Sequence, residues 1–457
     1  MKKKWLSVVA AATLATSLLA GCSGKSENNS PSSSSSPDSS VAPSSSEAPA
    51  AKDPVTIKFL GWEKPSVYQP AIDAFQQANP DIKVEYVPVV ENDSNETIKK
   101  IDLMYASGDN FDVFTLNSAP TFAQRAANGM LEPLDDYLAK EGVKYEDEYK
   151  AEQQKLDGKR YSLPGKFGPW FILMNKSALD AANLPVPTSW TWDEFRDYAK
   201  QLTQGEGANK TYGAHFHSWK DYFLLKMYSA SSDQGIMKDD GSTLNDDNPL
   251  MKQSLELRYE MEHADKSSTP YQDVITQKIP YRDQYFQGKG IMLPTGPWMI
   301  SEAGGTEKIP ATFVSAFAPW PTNNKGDEMY SYGGADPLVI STKSKHKEES
   351  YRFLRYLSTE GMALTKQLSA WKKADLNKEV DEIVSATLSP DMIDKASLIN
   401  TLSATKLPVP PITVSYAGDI ENAYIAEVDK YMLGDSDIDT ALASIKKNLQ
   451  KIIDANK

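Results

Sequence analysis

The order of apolar periodicities over residues 55–116 constrains the fold more than any other feature of this chain. Residues 55–60, Val-Thr-Ile-Lys-Phe-Leu, alternate like a half-buried strand, and Gly61-Trp62-Glu63 ends it. Tyr68, Ala71, Ile72, Phe75 and Ala78 then recur at helical spacing until Asn79-Pro80 stops the helix. Residues 82–88 alternate again, Ile98, Ile101 and Tyr105 mark a second helix, and residues 111–116 form a buried apolar strand. Strand, helix, strand, helix, strand implies right-handed crossovers and an α/β protein with a mostly parallel sheet flanked by helices. In such sheets ligands bind beyond the carboxyl ends of strands. Two loops are singled out: Gly61-Trp62-Glu63-Lys64 and Asn117-Ser118-Ala119.

The chain before this pattern has a different character. Lys2, Lys3 and Lys4 precede a short apolar and small-residue stretch over 8–20, and the sequence's single cysteine follows in Leu19-Ala20-Gly21-Cys22. This is the layout of a secretory signal peptide over residues 1–21, too short to stay as a membrane span. Leu-Ala-Gly-Cys looks like a bacterial lipobox, with Cys22 the lipid-modified (palmitate-bearing) new N-terminus. Residues 22–53 are dominated by Ser, Pro and Ala, cannot bury enough surface to offset their ordering entropy, and read as a disordered tether. As a flexible chain it would span roughly 30 Å. Lipid and tether place the folded part at the outer face of a bacterial cell membrane, touching it through the anchor alone.

About 400 residues remain, a length that favours two domains over one. With one cysteine no internal disulfide can form, so packing must hold the fold together. The formal charge is −13, or −16 without the three lysines of the signal peptide. No Lys/Arg-rich block is present, which argues against nucleic acid as a partner. Further along, residues 161–164 and 171–174 read as short extended segments around a Gly/Pro-rich bend, Gly165-Lys-Phe-Gly-Pro-Trp170. Residues 192–202, 251–262, the run with Tyr351, Leu354 and Leu357, and the C-terminal run with Ile445, Leu449 and Ile453 read as helices. Residues 290–293 form an apolar strand leading to Gly296-Pro297-Trp298.

Catalytic and metal constellations are poor. Gly-x-Ser-x-Gly, His-Glu-x-x-His and phosphate-loop motifs are missing. His215-Phe-His217 puts two imidazoles on one strand face, short of the ligands a metal needs, and reads as structural or solvent-facing. A carboxylate pair for glycoside hydrolysis is set by spacing in the fold and leaves no trace in sequence. Of the tryptophans beyond Trp5, six sit at loop ends rather than on periodic faces: Trp62, Trp170, Trp219, Trp298, Trp320 and Trp371. Trp190 and Trp192, flanking a helix start, are assigned to packing.

From about Val55 to the C-terminus the chain resembles the family 1 extracellular solute-binding proteins, lipoprotein receptors of ABC sugar importers related to maltose-binding protein. The resemblance rests on Phe75-Gln-Gln-Ala-Asn-Pro80, Ala106-Ser-Gly-Asp109 with Asp112-Val113, and Ala127-Asn-Gly-Met-Leu-Glu-Pro-Leu134. It continues through Asp157-Gly-Lys-Arg-Tyr-Ser-Leu-Pro164, Asn175-Lys176, Pro187-Thr-Ser-Trp-Thr-Trp-Asp-Glu-Phe195, and Phe286-Gln-Gly-Lys-Gly-Ile-Met292 leading to Gly296-Pro-Trp298. Each motif is little more than a turn or cap; their shared order over some 400 residues carries the match. One departure is Asn110-Phe111, where the family usually has a proline before the Asp-Val pair.

The resemblance implies a type II periplasmic-binding-protein-like fold, with two α/β lobes joined by a hinge that the chain crosses more than once. Lobe one would comprise residues 54–162 plus 318–372, and lobe two residues 163–317 plus 373–457. The expected function is carbohydrate capture, probing with aromatic platforms and delivering to ABC permease subunits by lobe closure, as a monomer, without catalysis, metal or cofactor. Sugars present an apolar C–H face and a hydroxyl rim, so a site needs flat aromatics beside amides, carboxylates and cations. Matching positions favour Trp62, Trp170 and Trp298, then Trp219 with Asp221 and Tyr222, and Tyr416. The polar contacts expected are Glu63, Lys64, Asn117, Lys166 and Asp336. The aromatic richness leans towards an oligosaccharide. Rival readings are a secreted lipoprotein glycoside hydrolase or lyase, and a same-fold receptor for a non-sugar solute.

Overall fold

The computed structural model describes residues 54–150 and 152–456; the signal-peptide segment, Cys22 and the Ser/Pro tether lie outside the described residues. In chain order the elements that position the site are β1 (Val55–Gly61), α1 (Pro65–Ala78), β2 (Ile82–Pro88), α2 (Ser94–Ser107), β3 (Val113–Thr115), α3 (Ala119–Ala127), β4 (Ser162–Pro169), β5 (Phe171–Asn175), α4 (Trp192–Leu202), β6 (Tyr212–Ala214), α5 (Pro249–His263), β7 (Gly290–Thr295), β8 (Ser315–Pro319), β9 (Gly333–Ile340), α6 (Lys347–Leu357), α7 (Leu376–Ser385), α8 (Ala417–Met432) and α9 (Ile438–Ala455). Local chemistry explains many of their ends. Thr191 and Glu194 close a reciprocal capping box at the start of α4. Asp93 caps α2, and Gly108 ends it in the left-handed conformation at φ 88°.

Among the described residues the main strands form two sheets, one in the order β2-β1-β3-β9-β4 and one in the order β8-β5-β7-β6. Side chains alternate between the faces of each, and both faces are buried. In the first sheet Ile57, Phe59, Val113, Leu338 and Ile340 enter one apolar cluster, while Leu60, Phe114 and Val339 enter another. In the second, Ile172 and Met174 face one cluster, and Phe171, Leu173 and Phe317 the other. Each sheet is therefore the middle layer of its own helix-covered lobe.

The pairing is mixed, which corrects the expected predominance of parallel strands. β1 runs parallel to β2 and β3, and β6 to β7. β9 is antiparallel to both β3 and β4, and β5 is antiparallel to both β8 and β7. The βαβ units explain the parallel pairs. A strand that returns from the other lobe enters its sheet from the opposite end, which reverses its direction.

The segment read as a bend, residues 165–170, is instead mostly strand. β4 stays in the first sheet to Pro169, with Gly168 opposite Gly334 and Pro169 opposite Gly333. β5, starting at Phe171, belongs to the second sheet, so the chain changes sheets at Trp170. It returns between β8 and β9. A third passage runs through residues 367–371. There Phe167 donates its backbone N–H to the Leu368 carbonyl at 2.9 Å, and Lys166 pairs antiparallel with Ser369. Leu368 packs in a cluster of the second sheet and Ala370 in one of the first. Gly333 is required at this crossing: its φ is 156°, and a Cβ there would lie 2.5 Å from the Gly168 carbonyl oxygen.

Trp190, Trp192 and Trp320 are core residues. Their indole N–H groups donate to the Pro319 carbonyl, Ser229 Oγ and the Leu225 carbonyl at 2.8, 2.9 and 3.0 Å. Among the described residues no helix is long and apolar enough to cross a membrane.

Candidate functional site

The loop after β1 and the irregular stretch of β4–β9 build one wall. The β4–β9 register slips between Ala335 and Pro337, so Gly165 and Lys166 together oppose the single Asp336. Such a bulge re-aims side chains, and here it brings Lys166 Nζ to 3.0 Å from Glu63 Oε1 and 3.4 Å from Asp336 Oδ2. Gln367, on the third passage, adds an amide donor to Glu63 Oε1 at 3.3 Å. Lys166 Nζ also stands 5.9 Å from the centre of the Trp62 ring.

One ammonium cannot fully compensate two carboxylates. Burial favours the neutral form of Glu63, but the closer contact with Lys166 outweighs it and holds Glu63 below the usual carboxylate range. Asp336, farther from the lysine, is pushed above that range by burial and by the charge of Glu63. Burial opposes the charge of Lys166, yet the two carboxylates together keep its ammonium above its ordinary range.

The second wall is aromatic. Trp170, at the sheet change, meets Trp298, Tyr222 and Tyr332 edge-on or tilted at centroid distances of 5.4, 5.6 and 5.6 Å. Trp219 packs on Trp298 at 6.2 Å, on Tyr281 at 5.6 Å and on His217 at 4.4 Å. The Trp298 indole N–H donates to the Tyr281 hydroxyl at 3.1 Å. Trp219 and Trp298 are half-buried, whereas Trp170 is buried and Tyr222 fully enclosed, its hydroxyl donating to the Pro294 carbonyl at 2.8 Å. Asp221 accepts from the Tyr228 hydroxyl at 2.7 Å and from Lys220 at 3.3 Å, and Lys220 also pairs with Glu421 at 3.4 Å.

The walls are close enough to interact. Glu63 and Arg282 feel each other's charge, and Lys166 acts on the Tyr281 phenol. A Cβ on Gly168 of β4 would touch Pro297, next to Trp298. Arg282 itself is gripped bidentately by Glu302, at 2.7 and 2.8 Å.

Three expected residues stand apart from this core. Asn117 donates to Ser94 Oγ and Asn95 Oδ1 at 2.9 and 3.0 Å and accepts from Thr121 at 3.1 Å, so its amide orders the starts of α2 and α3. Lys64 is exposed at the N-cap of α1. Tyr416 is half-buried at the N-cap of α8, a helix that lies against α3.

Tyr281, Arg282, Glu302, Tyr332, Gln367 and Glu421 were not singled out from the sequence. Tyr332 has one signal in the sequence, the Gly333-Gly334 pair that follows it and leads to Asp336; Gln367 and Glu302 have none. Trp371 is elsewhere, lining a groove of about 560 Å³ with Tyr137, Tyr351 and Arg355, its indole donating to Glu148 at 3.0 Å. The histidine pair is structural. His215 bonds Thr269 Oγ1 at 3.0 Å, and burial lowers His215 to about 3 and His217 to about 4. Among the described residues no group of three or more His, Cys, Asp or Glu could hold a metal ion.

Residues 61–363 match the family of bacterial extracellular solute-binding proteins. The chain belongs to that family. A binding protein of Brucella abortus (strain 2308) is 25% identical over 295 residues, which is 62% of this chain and 66% of that relative, just under two thirds of its length. The multiple sugar-binding protein of Streptococcus mutans is 22% identical over 326 residues, 67% of this chain and 72% of the relative. An ABC substrate-binding protein from Listeria monocytogenes, solved in complex with cycloalternan, superposes with a TM-score of 0.71 at 23% identity, covering 88% of this chain and 99% of that one. This solute-binding protein thus has the two-lobed α/β fold, and the family binds solutes outside the cytoplasm.

Proposed function

We propose that this solute-binding protein captures a carbohydrate, preferentially an oligosaccharide, between its lobes and delivers it to an ABC permease by closing on it, without catalysis. The observation that carries the reading is the pairing of walls: partly open indoles of Trp219 and Trp298 beside the hydrogen-bonding cluster of Glu63, Lys166 and Asp336. An aromatic face suits the C–H side of a pyranose, and a charged cluster suits its hydroxyl rim. The relatives named for sugar binding and solved with cycloalternan support it. The lobes would divide at Trp170, between β8 and β9, and along residues 367–371. Ligand touching both walls has more contacts in the closed form and favours it by that difference.

Trp298 and Trp170 separate platform from packing. Trp298→Ala should weaken binding of the best ligand from a panel of maltotriose, cellotriose and xylotriose by roughly 1–4 kcal/mol, with a smaller fall in the melting temperature of the free protein than Trp170→Ala causes. Trp170→Ala should lower that melting temperature, because its ring is buried in the core of the second sheet. Calorimetry showing full affinity in Trp298→Ala would remove the platform assignment. A glycosidase or lyase would instead release product from the same panel.

Cys22 is proposed as the lipidated residue of a tethered receptor. The basis is Leu19-Ala20-Gly21-Cys22 followed by a segment poor in apolar residues. Cys22→Ala should move the protein out of the membrane fraction; unchanged retention after fractionation would refute the anchor.

A further inference from the structure

We propose that the cleft takes neutral saccharides and refuses their acidic counterparts. This rests on the carbohydrate reading and goes further, because it names which saccharides can enter. Three cations reach the two walls among the described residues, and each is already paired. Lys166 is held by Glu63 and Asp336, Lys220 by Asp221 and Glu421, and Arg282 by both oxygens of Glu302. Five carboxylates thus surround three cations. A uronate or phosphate needs an available cation with a fitting geometry. Here it would either displace a carboxylate from its partner or, at the Nη1 of Arg282 that Glu302 leaves unused, bring a further negative charge beside carboxylates that already outnumber the cations. Lys64 stands apart from both walls and is exposed at the N-cap of α1, where salt screens its attraction.

A neutral hydroxyl rim asks for no such displacement. Hydroxyls both donate and accept, so a sugar can donate to the carboxylate oxygens and accept from the ammonium while every ion pair stays intact. The net charge of the whole chain, −13, adds long-range repulsion of anions. A cationic sugar is not refused on charge, because five carboxylates against three cations leave the walls net negative, and the refusal therefore concerns acidic sugars alone.

The test begins with calorimetric titration of maltotriose, cellotriose, xylotriose and trigalacturonate. The best neutral binder is then compared with the same sugar oxidised to the uronate at one primary hydroxyl, or, for xylotriose, with its glucuronic-acid-substituted form. The expected result is a neutral binder whose acidic counterpart is weaker by about 100-fold or more, the scale of an uncompensated like charge. Glu302→Gln, which removes one carboxylate from Arg282, should narrow that ratio. An acidic trimer binding as tightly as the best neutral one overturns the inference and leaves the sugar reading standing. A ratio that Glu302→Gln does not move assigns the refusal to shape and overturns it too. If no saccharide of any charge binds, both the inference and the carbohydrate reading fall.

Discussion

Replacing Arg258 with leucine should cost about 3–5 kcal/mol of folding stability, the scale for stranding one partner of a buried ion pair. Arg258 and Glu262 lie one turn apart on α5, with side chains 0% and 1% exposed and Nε donating to Glu262 Oε1 at 3.0 Å. The guanidinium sits 4.2 Å over Phe223 and 5.0 Å over Tyr271. It also donates to the His217 and Tyr222 carbonyls, at 3.0 and 3.3 Å. Those carbonyls bracket the segment that carries Trp219, so the variant should lose sugar affinity along with stability. Burial already holds Glu262 above the usual carboxylate range despite its partner. Without Arg258 it rises further, and the loss is largest at alkaline pH. Leucine at both positions should recover only part of it, because the two carbonyls and the Tyr271 N–H, now bonded to Glu262 at 2.7 Å, stay unpaired. Urea unfolding measures all three proteins; a loss under about 1 kcal/mol in the single variant would contradict this account.

Lys166→Met should abolish measurable sugar binding and destabilise the free protein by about 2–4 kcal/mol near pH 8. Two half-buried carboxylates, Glu63 and Asp336, then face each other without their shared cation. The pH dependence follows from sign. Lys166 lowers both acids, so removing it raises both above their unfolded values. A raised acid contributes fully below its unfolded pKa and loses that contribution as pH rises through the folded one. The variant should therefore approach wild-type stability near pH 4 and fall away towards pH 8. Unfolding curves at both pH values decide it: an equal deficit at each would mean that lost packing, and not charge, carries the effect.

These two residues mark the limits of what could be read in advance. Arg258 shows nothing in sequence beyond an i, i+4 partner on a helix, and such pairs usually sit in solvent. Lys166 was flagged as a contact through resemblance, but its link to Glu63 spans 103 residues of chain. The register slip that turns Asp336 towards it is a property of paired strands. Asn117 shows the converse: a loop at the correct strand end, whose side chain is taken up by helix starts.

The sequence alone determined what short-range chemistry controls. β1 and β2 were legible because alternation is a property of consecutive residues, and α4 because its capping box lies within four residues. The order of such pieces was enough for the α/β class and for the loops around Trp62 and Trp298. Tertiary structure decided the rest. It set the strand directions at the crossings, carried β4 unbroken through a Gly/Pro-rich stretch, and chose which tryptophans are enclosed and which are partly open. It also joined Glu63, Lys166, Asp336 and Gln367. Each outcome depends on contacts between segments remote in the chain, where burial and charge pairing outweigh local preference, and no window of neighbouring residues contains that information.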